Sequence, residues 1–249
     1  MSAPAASTRA VSAMTAMELR LTARRGENLL VTIVIPAVVL VFFASVSVLP
    51  AAAGRPVDFL LPGSIALAII ATSLVNLGIA TAYERHYGVL KRLGGSPLTR
   101  TGLLVAKSAA VLVVEVVQIV LLVAIAALLL GWRLPAGASV GLVPVAVVLG
   151  TAAFAGLGLA MAGGLRAEAT LALANGLFLA FLLLGGIVIP LDHLPGPLAA
   201  LGSVLPAAAL ADLLRAALGG AGDVVRSVVV LVVWAVVAMA VAARTFAWE

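Results

Sequence analysis

The feature that most constrains this chain is the distance between its charges. From Glu27 to Arg55 there are 27 consecutive uncharged residues (28–54), and from Asp58 to Glu84 there are 25 (59–83). Between Lys107 and Arg133 the 25 residues are interrupted only by Glu115. Residues 134–165, 169–191 and 227–243 make runs of 32, 23 and 17. A helix needs about 20 mostly apolar residues to cross some 30 Å of hydrocarbon, so the gaps predict six spans, the last lengthened by Val224, Val225 and Thr245. A transmembrane β-barrel would instead show alternating segments of about ten residues. The expected fold class is therefore an all-α integral membrane protein with six transmembrane helices.

Composition agrees. Hydrophobic residues make up 64% and charged residues 10%, against about 25% charged in ordinary globular domains. Mean hydropathy is +1.27. That excludes a soluble enzyme and a disordered chain, the latter requiring low hydrophobicity and high charge. There are no cysteines and two histidines, His86 and His193. Disulfides, thiol chemistry and a His-rich metal site are excluded, and His193 beside Asp192 lacks the further ligands a metal needs. The net charge of +5 reads as basic loops at a membrane rather than nucleic-acid binding. No acid/base pair, catalytic triad or metal cluster is visible, so no enzyme activity and no cofactor on this chain is expected.

Orientation follows from the basic residues. With six spans, the termini and the loops after spans two and four carry eleven Lys and Arg, and the opposite side carries four. The positive-inside bias places both termini in the cytoplasm. Residues 1–12 read as a disordered leader and 13–27 as an interfacial amphipathic helix. In that helix Met14, Met17 and Leu21 share a stripe, while Glu18, Arg24 and Arg25 fall away from it. The 28–249 remainder is the six-span transmembrane domain. Pro36 is expected to kink span one. Trp132 and Trp248 are expected as interfacial anchors.

Three places carry polar chemistry. Tyr83 to Arg100 reads YERHYGVLKRLGGSPLTR. Leu90 and Leu93 give an apolar edge, Glu84, Arg85, Lys91 and Arg92 a charged one, and Gly94, Gly95 and Pro97 stop the helix. Within span three, Glu115 and Gln118 share a helix face. A charge at that depth costs a few kcal/mol by insertion scales, about 2.5–3.5 at mid-membrane. The pair is a polar patch on a transport path or interface, or interhelical glue; Asn76 and Asn175 read as glue. The stretch 191–222 is too broken by Pro195, Pro197 and Pro206 to span and reads as re-entrant helices, with Asp212 and Arg215 able to pair. Small residues recur every four positions at Ala152, Gly156, Ala160 and Gly164, and at Ala172, Gly176 and Ala180, which favours close helix packing within the subunit. Thr101 to Ser108, TGLLVAKS, lacks both glycines of a phosphate-binding loop.

Two of these segments resemble permeases of type-2 ABC exporters. The loop 83–107 is similar to their E-R-x-x-G-x-L-K-R-L-x-x-S-P-L pattern through Glu84, Arg85, Gly88, Leu90, Lys91, Arg92, Leu93, Ser96, Pro97 and Leu98, with Lys107 following. The segment Gly185–Leu218 is similar to the family's second motif through Gly186, Pro190, Leu191, Leu194, Pro195, Leu198, Leu205, Pro206, Asp212 and Arg215. The resemblance implies a permease paired with a second copy or a paralogue, in the plasma membrane, and with cytoplasmic ATP-binding subunits that hold the ATP and Mg. It implies that Glu84, Arg85, Gly88, Leu90, Lys91, Arg92, Leu93 and Pro97 form an ATPase-coupling helix. It implies that Pro190, Pro195, Pro206, Asp212 and Arg215 belong to an outer gate. A pathway of Leu, Val, Ala and Gly suits a lipophilic drug, antibiotic or lipid. A self-contained secondary transporter and a structural or regulatory subunit remain as alternatives.

Overall fold

A computed structural model describes residues 4–24, 26–46, 55–93, 95 and 98–245. Helices α1 (Pro4–Arg24), α2 (Gly26–Ser45), α3 (Pro56–Ile70), α4 (Leu77–His86), α5 (Val89–Leu93) and α6 (Arg100–Leu129) are followed by α7 (Leu142–Gly164), α8 (Ala167–Leu184), α9 (Gly196–Val204), α10 (Pro206–Ala217) and α11 (Val224–Thr245). No strand occurs among the described residues. Among the described residues five helical runs are long and apolar enough to cross a membrane: Pro56–His86, α6, α7, α8 and α11. Helix α2 is 20 residues long with a shorter apolar part, Thr32–Ser45, and the bent pair α9–α10 makes a sixth candidate if counted as one span, so the described residues hold five to six against the six that the charge gaps predict. The molecule is an all-α membrane protein.

Pro56–His86 lies deepest in the bundle. It joins α3 to α4 through a π-helical turn, Ala71–Asn76, at which the Ser73 hydroxyl donates to the Ile69 carbonyl. A wider turn of this kind is rare and often functional. Just beyond it α4 meets α7 backbone to backbone. A Cβ on Gly78 would lie 3.0 Å from the Gly158 Cα, and one on Gly156 2.8 Å from the Ala238 Cβ of α11. So Gly156 packs within the subunit, whereas Gly164 at the end of the same stripe has nothing within 4 Å of a built Cβ. Gly176, in the stripe of α8, has nothing within 4 Å of a built Cβ. Gly156→Leu forces α7 off α11 and is expected to cost about 1–3 kcal/mol by overpacking, read as a fall in thermal midpoint in detergent. Gly176→Leu leaves the isolated subunit unchanged.

Three sequence expectations shift. Helix α1 begins at Pro4 rather than Ala13, taking in much of the segment read as a disordered leader. Proline is tolerated in a first turn, where its missing N–H has no intrahelical partner, and Ala10, Val11 and Met14 continue one apolar face that packs on α6. That face covers protein, with Met14 buried and Met17 exposed. Trp132, expected at the membrane interface, is buried in the main core. Midway along α11, Trp234 has an indole N–H that donates to the Val204 carbonyl at 3.0 Å. Trp248, Arg25 and Pro97 lie outside the described residues.

Helices α9 and α10 are bent by 77° at Leu205. Pro206 starts α10, and the bend strips α9 of partners for its last carbonyls. Trp234 supplies one, and Arg226 donates to the Ser203 carbonyl at 3.3 Å. Filling such broken turns from neighbouring helices is what allows non-helical backbone at membrane depth.

Candidate functional site

The end of Pro56–His86 that carries the charged loop is built on a buried ion cluster. Lys107 in α6 is 1% exposed, and its ammonium lies 2.7 Å from Glu18 Oε1 of α1 and 2.7 Å from Glu84 Oε2 of α4. One lysine thus ties the N-terminal helix, the loop-bearing helix and the 30-residue α6 together. Both carboxylates are mostly buried. Removing one partner from such a cluster costs far more than forming it gains, because the charge left behind has lost its water.

Arg85, next to Glu84, turns the other way. Both its terminal nitrogens donate to carbonyls at the end of α7, Gly163 and Leu165. A cation there satisfies orphan carbonyls and complements the negative end of the helix dipole. Glu84 and Arg85 therefore clamp the end of α4 to α6 and α7 respectively.

Beyond the clamp the chain turns at Gly88, whose φ of +70° suits glycine. It then forms α5. Leu90 is 1% exposed and packs with Met14, Leu98, Leu103 and Leu104, and Leu93 packs against the same cluster. The apolar edge of the short helix is thus its anchor to the protein's own core, not a surface offered outward. The outward face is formed by His86, Tyr87, Lys91 and Arg92, all exposed, with Tyr87 at 69%. The Tyr87 ring stacks on Tyr83 at 6.1 Å between centroids and meets His86 edge-on at 5.1 Å. The result is a basic, aromatic surface on a rigid mount.

Within the bundle, Glu115 and Gln118 are both buried. Gln118 accepts from the Thr72 hydroxyl at 3.0 Å and donates to the Thr32 carbonyl at 3.2 Å, linking α6 to the π-helical turn and to α2. Glu115 bonds Thr151 of α7, and its Oε1 has no hydrogen-bond partner. Adjacent on α6, the two reach different neighbours. Asn175 donates to the Leu171 carbonyl of its own helix at 2.8 Å and is exposed.

The second motif lies at the opposite end of the bundle, near the start of α3. Arg215 donates to Asp212 at 2.7 Å and to the Gly186 carbonyl, and its guanidinium sits 4.1 Å from the Phe59 ring centroid. Pro190 precedes a short 3-10 turn, Leu191–His193, and Pro195 caps α9. His193 meets only Asp192, at 3.0 Å on the surface, and no group of three metal-ligating side chains occurs among the described residues.

Sequence reasoning missed Glu18, Thr151, Thr72 and Phe59. Each acts through a partner at least 36 positions away, and spacing along one helix carries no sign of such a partner.

No curated protein gives a significant match to the chain. A family model does: residues 9–218 match the one described as ABC-2 type transporter, a stretch that takes in the ion cluster, the basic mount and the bent helix pair. With most of its length matched, and with the charged loop and the bent helix pair at the two ends of the bundle, the chain belongs to the ABC-2 type transporter family, as a multi-pass membrane permease.

Proposed function

We propose that this chain is the permease of an exporter in the plasma membrane, with both termini cytoplasmic, working with a second copy or a paralogous permease and driven by a separate ATP-binding subunit. The observation that carries the reading is the exposed His86–Tyr87–Lys91–Arg92 face, held immobile by Leu90, Arg85 and the Lys107 cluster. A surface that transmits force must not slip on its mount. Here an applied push passes from α5 through Glu84 to Lys107 and on to α1 and α6. The chain itself holds the path, and nucleotide chemistry belongs to the partner. Glu115 and Gln118 serve as interhelical glue in this reading, since each is buried against its own bundle. Arg215, Asp212 and the bent pair form the outer gate. A chain so rich in Leu, Val, Ala and Gly suits a lipophilic substrate.

The test is purification of the chain from its native membrane in mild detergent. The expected result is co-purification of an ATP-binding subunit in equal amount, with ATP hydrolysis by the complex. The double variant Lys91→Glu, Arg92→Glu is expected to lose the subunit at least tenfold, corresponding to about 1.4 kcal/mol, while its helical content and thermal midpoint stay unchanged. A preparation free of any ATPase, or a double variant that retains it fully, overturns the docking assignment.

A further inference from the structure

Along the free face of α4 runs a cavity of about 310 Å³, at the lower end of the range for small-molecule sites, roughly 300–1,000 Å³. Asn76, Ala80, Tyr83, Glu84, Tyr87 and Val89 line it. From Asn76 to Tyr87 it extends about 16 Å at helical rise, from the π-helical turn to the end of the span. Asn76 and Ala80 also line a smaller cavity, about 40 Å³, that reaches Glu18 and Lys107. The cavity system therefore borders all three members of the ion cluster.

The chemistry of this wall is specific. Two carboxylates share one ammonium, so the cluster carries one negative charge beyond what Lys107 compensates. Glu84 uses Oε2 for Lys107, and its Oε1 has no hydrogen bond among the described residues. Arg85 is committed to the α7 carbonyls, and no lysine or arginine is among the residues that line the larger cavity. Beside the carboxylate stand the stacked rings of Tyr83 and Tyr87, the only tyrosines in the chain. Aromatic faces attract cations through their quadrupole, and Val89, Ala80 and Ile79 offer an apolar floor.

We infer that this cavity is a binding site for lipophilic monocations: a quaternary ammonium or phosphonium, or a protonated amine on an apolar body. The Glu84 carboxylate supplies the counter-charge and the two tyrosines the wall. The inference deepens the permease reading by naming a class of ligand and rests on it for its physiological sense. Binding itself needs no ATPase, so the two fail separately.

The probe is radiolabelled tetraphenylphosphonium, titrated onto the purified full-length chain in neutral maltoside micelles without nucleotide or partner. Saturable binding at one site per chain is expected, and the neutral triphenylphosphine oxide is expected not to compete. Glu84→Gln should weaken binding at least tenfold. Because that variant also loosens the Lys107 cluster, Tyr87→Ala is the second arm: its side chain is largely exposed, the fold stays intact, and affinity should fall severalfold. Absence of saturable binding, equal competition by the neutral compound, or undiminished affinity in Tyr87→Ala overturns the site. None of these results bears on whether an ATP-binding subunit co-purifies.

Discussion

Lys107→Met is expected to lower the stability of the permease by about 3–5 kcal/mol, the range for breaking a buried ion pair by removing one partner. The methionine fills the volume but leaves Glu18 and Glu84 facing each other, mostly buried and without their common cation. Either carboxylate variant is milder. Glu18→Gln or Glu84→Gln leaves a balanced pair of one ammonium and one carboxylate, so the loss should approach that of a hydrogen bond to a charged group, about 1.5–3 kcal/mol. This ordering, lysine above either glutamate, is the signature of a shared cation. Thermal midpoints of the four proteins in detergent check it. The triple variant Lys107→Met, Glu18→Gln, Glu84→Gln should recover much of the loss, because replacing a whole buried ionic group by neutral ones is often nearly neutral. Equal effects for all three single variants, or no recovery in the triple, would show that the cluster does not work as a unit.

The second large effect is at Leu90. Truncation to alanine removes a 1%-exposed side chain from the cluster that joins α1, α5 and α6, at an expected cost of about 2–5 kcal/mol. Leu90→Asp goes further, since it places a carboxylate among Met14, Leu98, Leu103 and Leu104 with no partner to offset its lost hydration. The neighbouring Lys91 and Arg92 give the contrast. Their side chains are exposed, and surface substitutions of this kind stay within about 0.5 kcal/mol. Thus Leu90→Ala is expected to release α5 and weaken ATPase retention through loss of the mount, with a fall in thermal midpoint. Lys91→Glu, Arg92→Glu releases the partner with the midpoint unchanged. A Leu90→Ala protein as stable as the parent would place Leu90 on the outward surface instead.

Both predictions turn on residues whose type was plain in the sequence and whose facing was not. Leu90 and Leu93 were readable as one apolar edge of a short helix. Which solvent that edge meets, a partner subunit or the chain's own core, depends on α1 and α6 lying alongside. Glu18 looked like a residue turned away from the apolar stripe of α1. Its role arises from Lys107, 89 positions away. The Trp132 expectation failed for the same reason: position near a span end is a local property, and burial is not. The extent of α1 was underestimated because an alanine-rich, proline-started segment carries little hydrophobic signal until the α6 surface that it covers is known.

What the sequence determined by itself was set by the bilayer. Every backbone polar group in hydrocarbon must be bonded internally, so long uncharged runs have essentially one solution, and the all-α membrane-spanning architecture and the break between Pro195 and Pro206 follow from charge spacing and composition alone. The tertiary structure decided everything that depends on which helices are neighbours. It placed one ammonium between two carboxylates from distant segments, turned Leu90 inward and Tyr87 outward, set Gly156 against α11 while leaving Gly176 open, and shaped the cavity beside Glu84. Inside hydrocarbon nearly all side chains are apolar, so hydrophobicity no longer separates core from surface, and only packing can.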